Sequence, residues 1–189
     1  MFAHIRPAIV LTAAFIALTG LAYPLAITGI AQIAFPAQAN GSLIRNGETV
    51  IGSSLIGQHF ASDRYFWPRP SATAEAPYNA GASAGSNLGP TSANLAARVK
   101  GDVARLVAAG IAGPVPADGA TASGSGLDPD ISPEFALAQV GRVAAARGLP
   151  EADVAALIDR FTDRRQLGIV GEPRVNVLRL NMALDTTKS

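Results

Sequence analysis

Cysteine is absent from the 189 residues, which excludes a disulfide framework, a zinc cage and a thiol nucleophile. Its absence does not by itself fix the compartment. Lysine is almost absent as well. Only Lys100 and Lys188 occur, and neither follows a G-x-x-x-x-G run, so there is no P-loop. Histidine is limited to His4 and His59, too few for a convincing metal centre. An excess of charge is also missing, since 15 Lys+Arg face 14 Asp+Glu. A formally neutral domain offers no electrostatic case for nucleic acid, which calls for a basic patch. No internal repeat is visible.

Charge of any sign is absent from the 38 positions between Arg6 and Arg45. Within them, residues 8–30 read AIVLTAAFIALTGLAYPLAITGI, longer than the roughly 20 apolar residues that cross a bilayer core. A lone span must satisfy its own backbone hydrogen bonds, so it is expected to be a helix. Pro24 removes one of those bonds and marks a candidate kink. Thr19, Gly20, Thr28 and Gly29 suit packing against other membrane helices. The rival reading is a cleaved signal peptide, with Ala37-Gln38-Ala39 as the cleavage site and a mature start near Asn40. The apolar run exceeds the usual 7–15 residues of a signal core, which favours an uncleaved anchor. Arg6 favours a cytoplasmic N-terminus and therefore an extracytoplasmic domain. The expected organisation is a tail and transmembrane anchor over residues 1–35, then one soluble α+β domain over 36–189.

Residues 40–55 predict a hairpin turning at Asn46-Gly47. Residues 56–90 are rich in Gly, Pro, Ser, Ala and Asn but carry Tyr65, Phe66, Trp67 and Tyr78. They are too aromatic for a free linker and too Gly/Pro-rich for a helix, so an ordered loop is expected. Thr91 or Ser92 can cap a helix to about Ala109, with Leu95, Val99, Val103 and Leu106 on one face and an Arg98–Asp102 pair on another. Residues 111–131 are expected as loop. Ser132-Pro133-Glu134 opens a helix to Gly148, and Pro150 opens another to about Phe161. Residues 174–184 alternate like a strand, but with a parity change near Val177-Leu178 that predicts a bulge or burial of both faces.

The chemical motifs mostly fail on context. Gly81-Ala82-Ser83-Ala84-Gly85 spells a nucleophile elbow, yet no strand, helix or histidine base accompanies it. His59 reads as a domain histidine. Asp128 and Asp130 could serve acid–base work or bind a cation, in a membrane-anchored enzyme. The simpler reading is turn chemistry. Asp185-Thr186-Thr187-Lys188 lacks the arrangement of a P-type phosphorylation sequence. One apolar span is too little for an ion pathway. No catalytic residue and no metal ligand is assigned.

Six blocks in order identify a resemblance. They are Gly52-Ser53-Ser54-Leu55-Ile56-Gly57-Gln58 with Phe60; Tyr65-Phe66-Trp67-Pro68-Arg69-Pro70-Ser71-Ala72; Gly85-Ser86-Asn87-Leu88-Gly89-Pro90-Thr91; the run from Gly124 through Leu127-Asp128-Pro129-Asp130 to Pro133; Gln139 with Arg142-Val143-Ala144; and Val175-Asn176-Val177-Leu178 with Leu180-Asn181. Together with the N-terminal span, the chain resembles the C subunit of the Kdp potassium-transporting P-type ATPase. One departure is Asp130, where members of that family often carry His.

The resemblance implies an accessory, non-catalytic subunit in a bacterial inner membrane. Its implied partners are a potassium-selecting channel-like subunit, a P-type ATP-hydrolysing subunit and a very small membrane subunit. No cofactor is implied as firmly bound. The family is described as a catalytic chaperone that raises the ATP affinity of the hydrolysing subunit, and Gln139 matches the glutamine associated with that role. Arg6 argues otherwise, because an extracytoplasmic Gln139 cannot reach cytosolic ATP. Scaffolding is the simpler expectation, with the helix packed on the potassium-selecting subunit and the domain over its outer mouth. Arg64, Tyr65, Trp67 and Arg69 are the candidate partner contacts, since Arg and aromatics dominate interface hot spots. The competing role for these four is packing within the loop.

Overall fold

The computed structural model describes residues 2–187, so Lys188 of the Asp185–Lys188 stretch lies outside the described residues. The chain divides into two units on either side of the Ile51–Gly52 bond.

The first unit is dominated by an apolar helix over Ile5–Ala34, with mean hydropathy 2.0 and none of its apolar window buried. It runs as α1 (Ile5–Phe15), a π-helical stretch (Ile16–Ala22) and α2 (Tyr23–Ala34). The wide turns have a local cause. Pro24 stands at the second position of α2 and has no N–H to donate. The Tyr23 N–H before it reaches back five residues to the Leu18 carbonyl. A π-bulge thus absorbs the proline, as such bulges commonly do at irregular points in helices. Thr19 Oγ1 donates to the Phe15 carbonyl at 2.7 Å. The helix leaves α geometry at Phe35, which precedes Pro36 and is pushed into extended φ. A short α3 (Pro36–Ala39) follows, then β1 (Leu43–Asn46) and β2 (Thr49–Ser53), which pair as the expected hairpin. Its loop is Gly47-Glu48, one residue later than predicted. Gly47 supplies the positive φ of +59° that a tight hairpin loop demands.

The second unit is the α+β domain. Residues 54–92 are nearly all loop. Ser92 then caps α4 (Ala93–Ala108) by accepting from the Leu95 N–H. Leu106 is buried, while Leu95, Val99 and Val103 are half-buried on the same face. Asp102 pairs with Arg105 at 3.5 Å rather than with Arg98 as the spacing suggested. The expected loop 111–131 contains a single turn, α5 (Ala117–Ala120), and ends in β3 (Asp130–Ile131). Ser132 caps α6 (Pro133–Ala138) and is itself held by Asp118, which accepts from its N–H and its hydroxyl.

The helix expected from Ser132 to Gly148 is broken at Gln139, whose N–H bonds to Ala136 three residues back. α7 (Val140–Arg147) resumes and stops at Gly148, which takes the left-handed φ of +69°. α8 (Glu151–Phe161) and β4 (Thr162–Asp163) follow. The stretch 174–184 is the clearest correction. It is a strand for only three residues, β5 (Arg174–Asn176), and then a helix, α9 (Val177–Thr186). The parity change read as a bulge is the strand-to-helix junction. Asn176 caps it by accepting from the Arg179 N–H at 3.1 Å. Val177, Leu180, Asn181 and Leu184 are buried at helical spacing.

β5 is the central strand of a small antiparallel sheet, ordered β3-β5-β4, with Asp130 opposite Asn176 and Thr162 opposite Val175. α8 packs against α6, α7, α9 and β5. The core collects Phe66, Leu106, Phe135, Val143, Ile158, Val175, Leu180 and Leu184, all fully enclosed.

Candidate partner-binding site

The loop from Phe60 to Ser71 has no ladder to satisfy its backbone, yet Phe66 and Trp67 are buried. Buried peptide groups need partners, and here side chains supply them. The Asn181 amide spans the Phe66 peptide. It accepts from Phe66 N–H at 2.8 Å and donates to Phe66 O at 3.1 Å. The Gln139 amide does the same for Trp67, accepting from its N–H at 2.7 Å and donating to its carbonyl at 3.2 Å. Gln139 Nε2 also reaches Phe135 O at 3.3 Å, and Arg142 donates to Gln139 Oε1 at 2.6 Å. The two amides thus clamp consecutive residues of one loop from α9 and from the α6–α7 break.

Arginines hold the flanks. Arg142 donates to the carbonyls of Asp63 and Tyr65 and lies 3.9 Å over the Trp67 ring. Burial pushes its guanidinium pKa down to about 10, with the charge of Arg105 adding to that and Asp63 opposing it. It stays charged at neutral pH. Arg147 donates to the carbonyls of Arg64 and Leu184 and pairs with Asp185 at 2.8 Å.

The four expected contact residues are brought together but largely turned inward. Arg64 is exposed and donates to Ala146 O near the end of α7. Tyr65 bonds Asp185 through its hydroxyl and packs against Phe60. Trp67 is buried, with its Nε1 on Ser62 O. Arg69 pairs with Asp128 at 2.8 Å. Tyr78 donates to Arg69 O, and burial raises its phenol pKa, with the Asp128 charge adding to the rise. Gln139 is completely buried with both ends of its amide engaged, so in this conformation it has no free polar atom to offer a nucleotide.

The carboxylate pair does turn chemistry. Asp128 accepts from Asp130 N–H and from Arg69. Asp130 accepts from Asn176 and faces Arg174 at 3.1 Å, and its pKa is raised chiefly by burial. Ser83 donates to Ser125 O from a loop that follows a single 3-10 turn (Ala80–Ala82), with no strand before it and no helix after it, so the elbow motif is only a match of letters. Among the described residues no cluster of His, Asp or Glu could hold a metal.

A cleft of about 440 Å³ opens beside Trp67 and is walled by Phe60, Pro68, Arg69, Arg98, Asp102 and Arg105. The Arg105 guanidinium lies 5.1 Å over the Trp67 ring.

Residues 5–186 match the family described as "KdpC: K+-transporting ATPase, c chain". The chain belongs to the KdpC family. Curated relatives agree. A potassium-transporting ATPase KdpC subunit of Allorhizobium ampelinum is 60% identical over 98% of this chain and 97% of its own length. Those of Gemmatimonas aurantiaca and Caulobacter vibrioides are 58% and 59% identical, each over 98% of this chain and 94% of its own length. Arg142 and Asn181 lie within the family-like blocks of the sequence, where nothing local assigns them a role. The available signal was polarity in the wrong place: Asn181 sits between core residues Leu180 and Leu184, and Gln139 beside Val140. A polar residue in an apolar stripe is kept only if something pairs with it.

Proposed function

We propose that the chain is an accessory, non-catalytic subunit of an ATP-driven, high-affinity potassium importer in a bacterial inner membrane. The carrying observation is membership of the KdpC family over almost its whole length. The single apolar helix supports a membrane-anchored subunit. In this reading the helix packs on the potassium-selecting subunit. The domain lies outside the cytoplasm over the outer mouth of the pathway. Arg64, Tyr65, Trp67 and Arg69 act there mainly by shaping the loop, with Trp67 and Arg69 reaching the cleft.

A rise in ATP affinity of the hydrolysing subunit is then transmitted through the assembly, not by contact of Gln139 with nucleotide. Orientation decides between these routes. Single cysteines replacing Glu48 and Asp159, both exposed, are labelled in intact cells with a membrane-impermeant maleimide. Labelling of both is expected. Protection of both until the cells are broken overturns the extracytoplasmic placement and reopens a direct nucleotide contact.

A further inference from the structure

Arg98, Asp102 and Arg105 recur at intervals of four and three along α4 and form one stripe that lines the cleft. Arg69 enters from the loop, so three guanidinium groups face one carboxylate. Two of the three are balanced. Arg69 is paired with Asp128, and Arg105 lies 3.5 Å from Asp102 and over Trp67. Arg98 is not. Among the described residues its side chain makes no hydrogen bond or ion pair, and its Nε, like those of Arg69 and Arg142, is buried without an acceptor. A half-buried, unpaired guanidinium is unfavourable unless something anionic completes it. Guanidinium groups favour planar, two-point pairing with carboxylate.

We propose that this cleft receives an acidic side chain, Asp or Glu, of a partner subunit, with Arg98 as the residue it pairs with. The inference rests on the scaffold reading above and extends it to a site. The cleft is concave and walled by Trp67, Phe60 and prolines, which suits one or two side chains of a neighbouring protein. An indole and clustered arginines are the composition that concentrates binding energy at interfaces. Trp67 is fixed in place by Gln139, so the wall is set before the partner arrives.

The test uses the whole complex, purified through a tag on the ATP-hydrolysing subunit and washed at rising salt. Retention of this chain is compared for wild type, Arg98→Glu, Arg98→Gln and Arg98→Lys. Charge reversal is expected to cut retention about tenfold or more, because it sets like charges together. Arg98→Gln should lose less, and Arg98→Lys should restore part of it. Emission of Trp67, the sole tryptophan, and the melting midpoint verify that each variant is folded. If reversal unfolds the chain, the neutral variant decides. Wild-type retention and salt dependence in folded Arg98→Glu, or in Arg98→Gln where that variant decides, overturn the proposal while leaving the scaffold reading intact. Failure of the wild-type chain itself to co-purify defeats the scaffold reading, and the site with it. Inorganic phosphate is titrated separately against Trp67 emission. A response that needs Arg98, with retention indifferent to it, makes this a small-anion site and also overturns the proposal.

Discussion

At the scale of single residues, the domain's least expected feature is how much of one loop hangs on two primary amides. Gln139 has four hydrogen bonds and Asn181 two, all with backbone groups except the one from Arg142. Replacing Gln139 by Leu orphans the Trp67 peptide and one Arg142 nitrogen at once. Buried unpaired groups cost about 1–3 kcal/mol each, so with three such groups a loss of at least about 3 kcal/mol is expected. Gln139→Glu keeps both acceptor bonds but sets an oxygen against the Trp67 and Phe135 carbonyls, so it should be destabilised as well. Urea unfolding followed by Trp67 emission measures both.

Asp130 gives a second prediction at this scale. Burial raises its pKa in the folded chain, so the folded state holds its proton more tightly than the unfolded state does. Its ionisation therefore opposes folding at neutral pH. That opposition fades as pH falls through the raised value toward the ordinary carboxylate value. Asp130→Asn should gain stability relative to wild type at neutral pH, and the difference should shrink on acidification. Unfolding free energies of the two proteins between neutral pH and about pH 4 are the measurement, and a difference independent of pH would count against the burial argument.

At the scale of elements, the decisive joint is Asn176. It ends β5, caps α9, and reaches Ser54 O and Asp130 with its Nδ2. A cap is worth about 1 kcal/mol and each further buried bond about as much. Asn176→Ala should therefore cost roughly 2–3 kcal/mol in total, read from a denaturant midpoint. Asn176→Asp keeps the cap but sets a second carboxylate against Asp130, so it should cost at least as much at neutral pH. The same joint shows why periodicity misled. Leu178, Leu180, Met182 and Leu184 alternate like a strand, while Val177, Leu180, Asn181 and Leu184 fit a helix equally well. Over so short a stretch the two periods cannot be separated, and the cap decides. Elsewhere local signals sufficed, because Ser92, Ser132 and Gly148 carry boundary chemistry that works without tertiary help.

At the scale of the molecule, the chain joins an apolar helix with no buried face to a domain with an ordinary core. Leu11, Phe15, Leu18, Leu25 and Ile33 are all exposed on that helix, an arrangement tolerable in hydrocarbon but a liability in water. A chain lacking residues 1–35 should stay in the supernatant after cell breakage, whereas the full chain should require detergent. The shortened chain should also melt at the same midpoint as the domain transition of the full chain. Fractionation and scanning calorimetry test the two halves of this expectation.

The sequence by itself determined the long apolar helix, the α+β class, the ends of α4 and α8 and the family, because these follow from long apolar runs, capping residues and motifs contiguous in the chain. Tertiary structure alone decided the roles. Trp67 and Gln139 are 72 positions apart, and Phe66 and Asn181 are 115 apart. Nothing local pairs them. The same holds for the cleft, where Arg98 is left without a partner only once Arg105 takes Asp102 and Asp128 takes Arg69. Hydrophobic pattern and caps act over a few residues and can be read in order. Hydrogen-bond satisfaction is settled across the whole fold, so it becomes visible only when the chain has closed on itself.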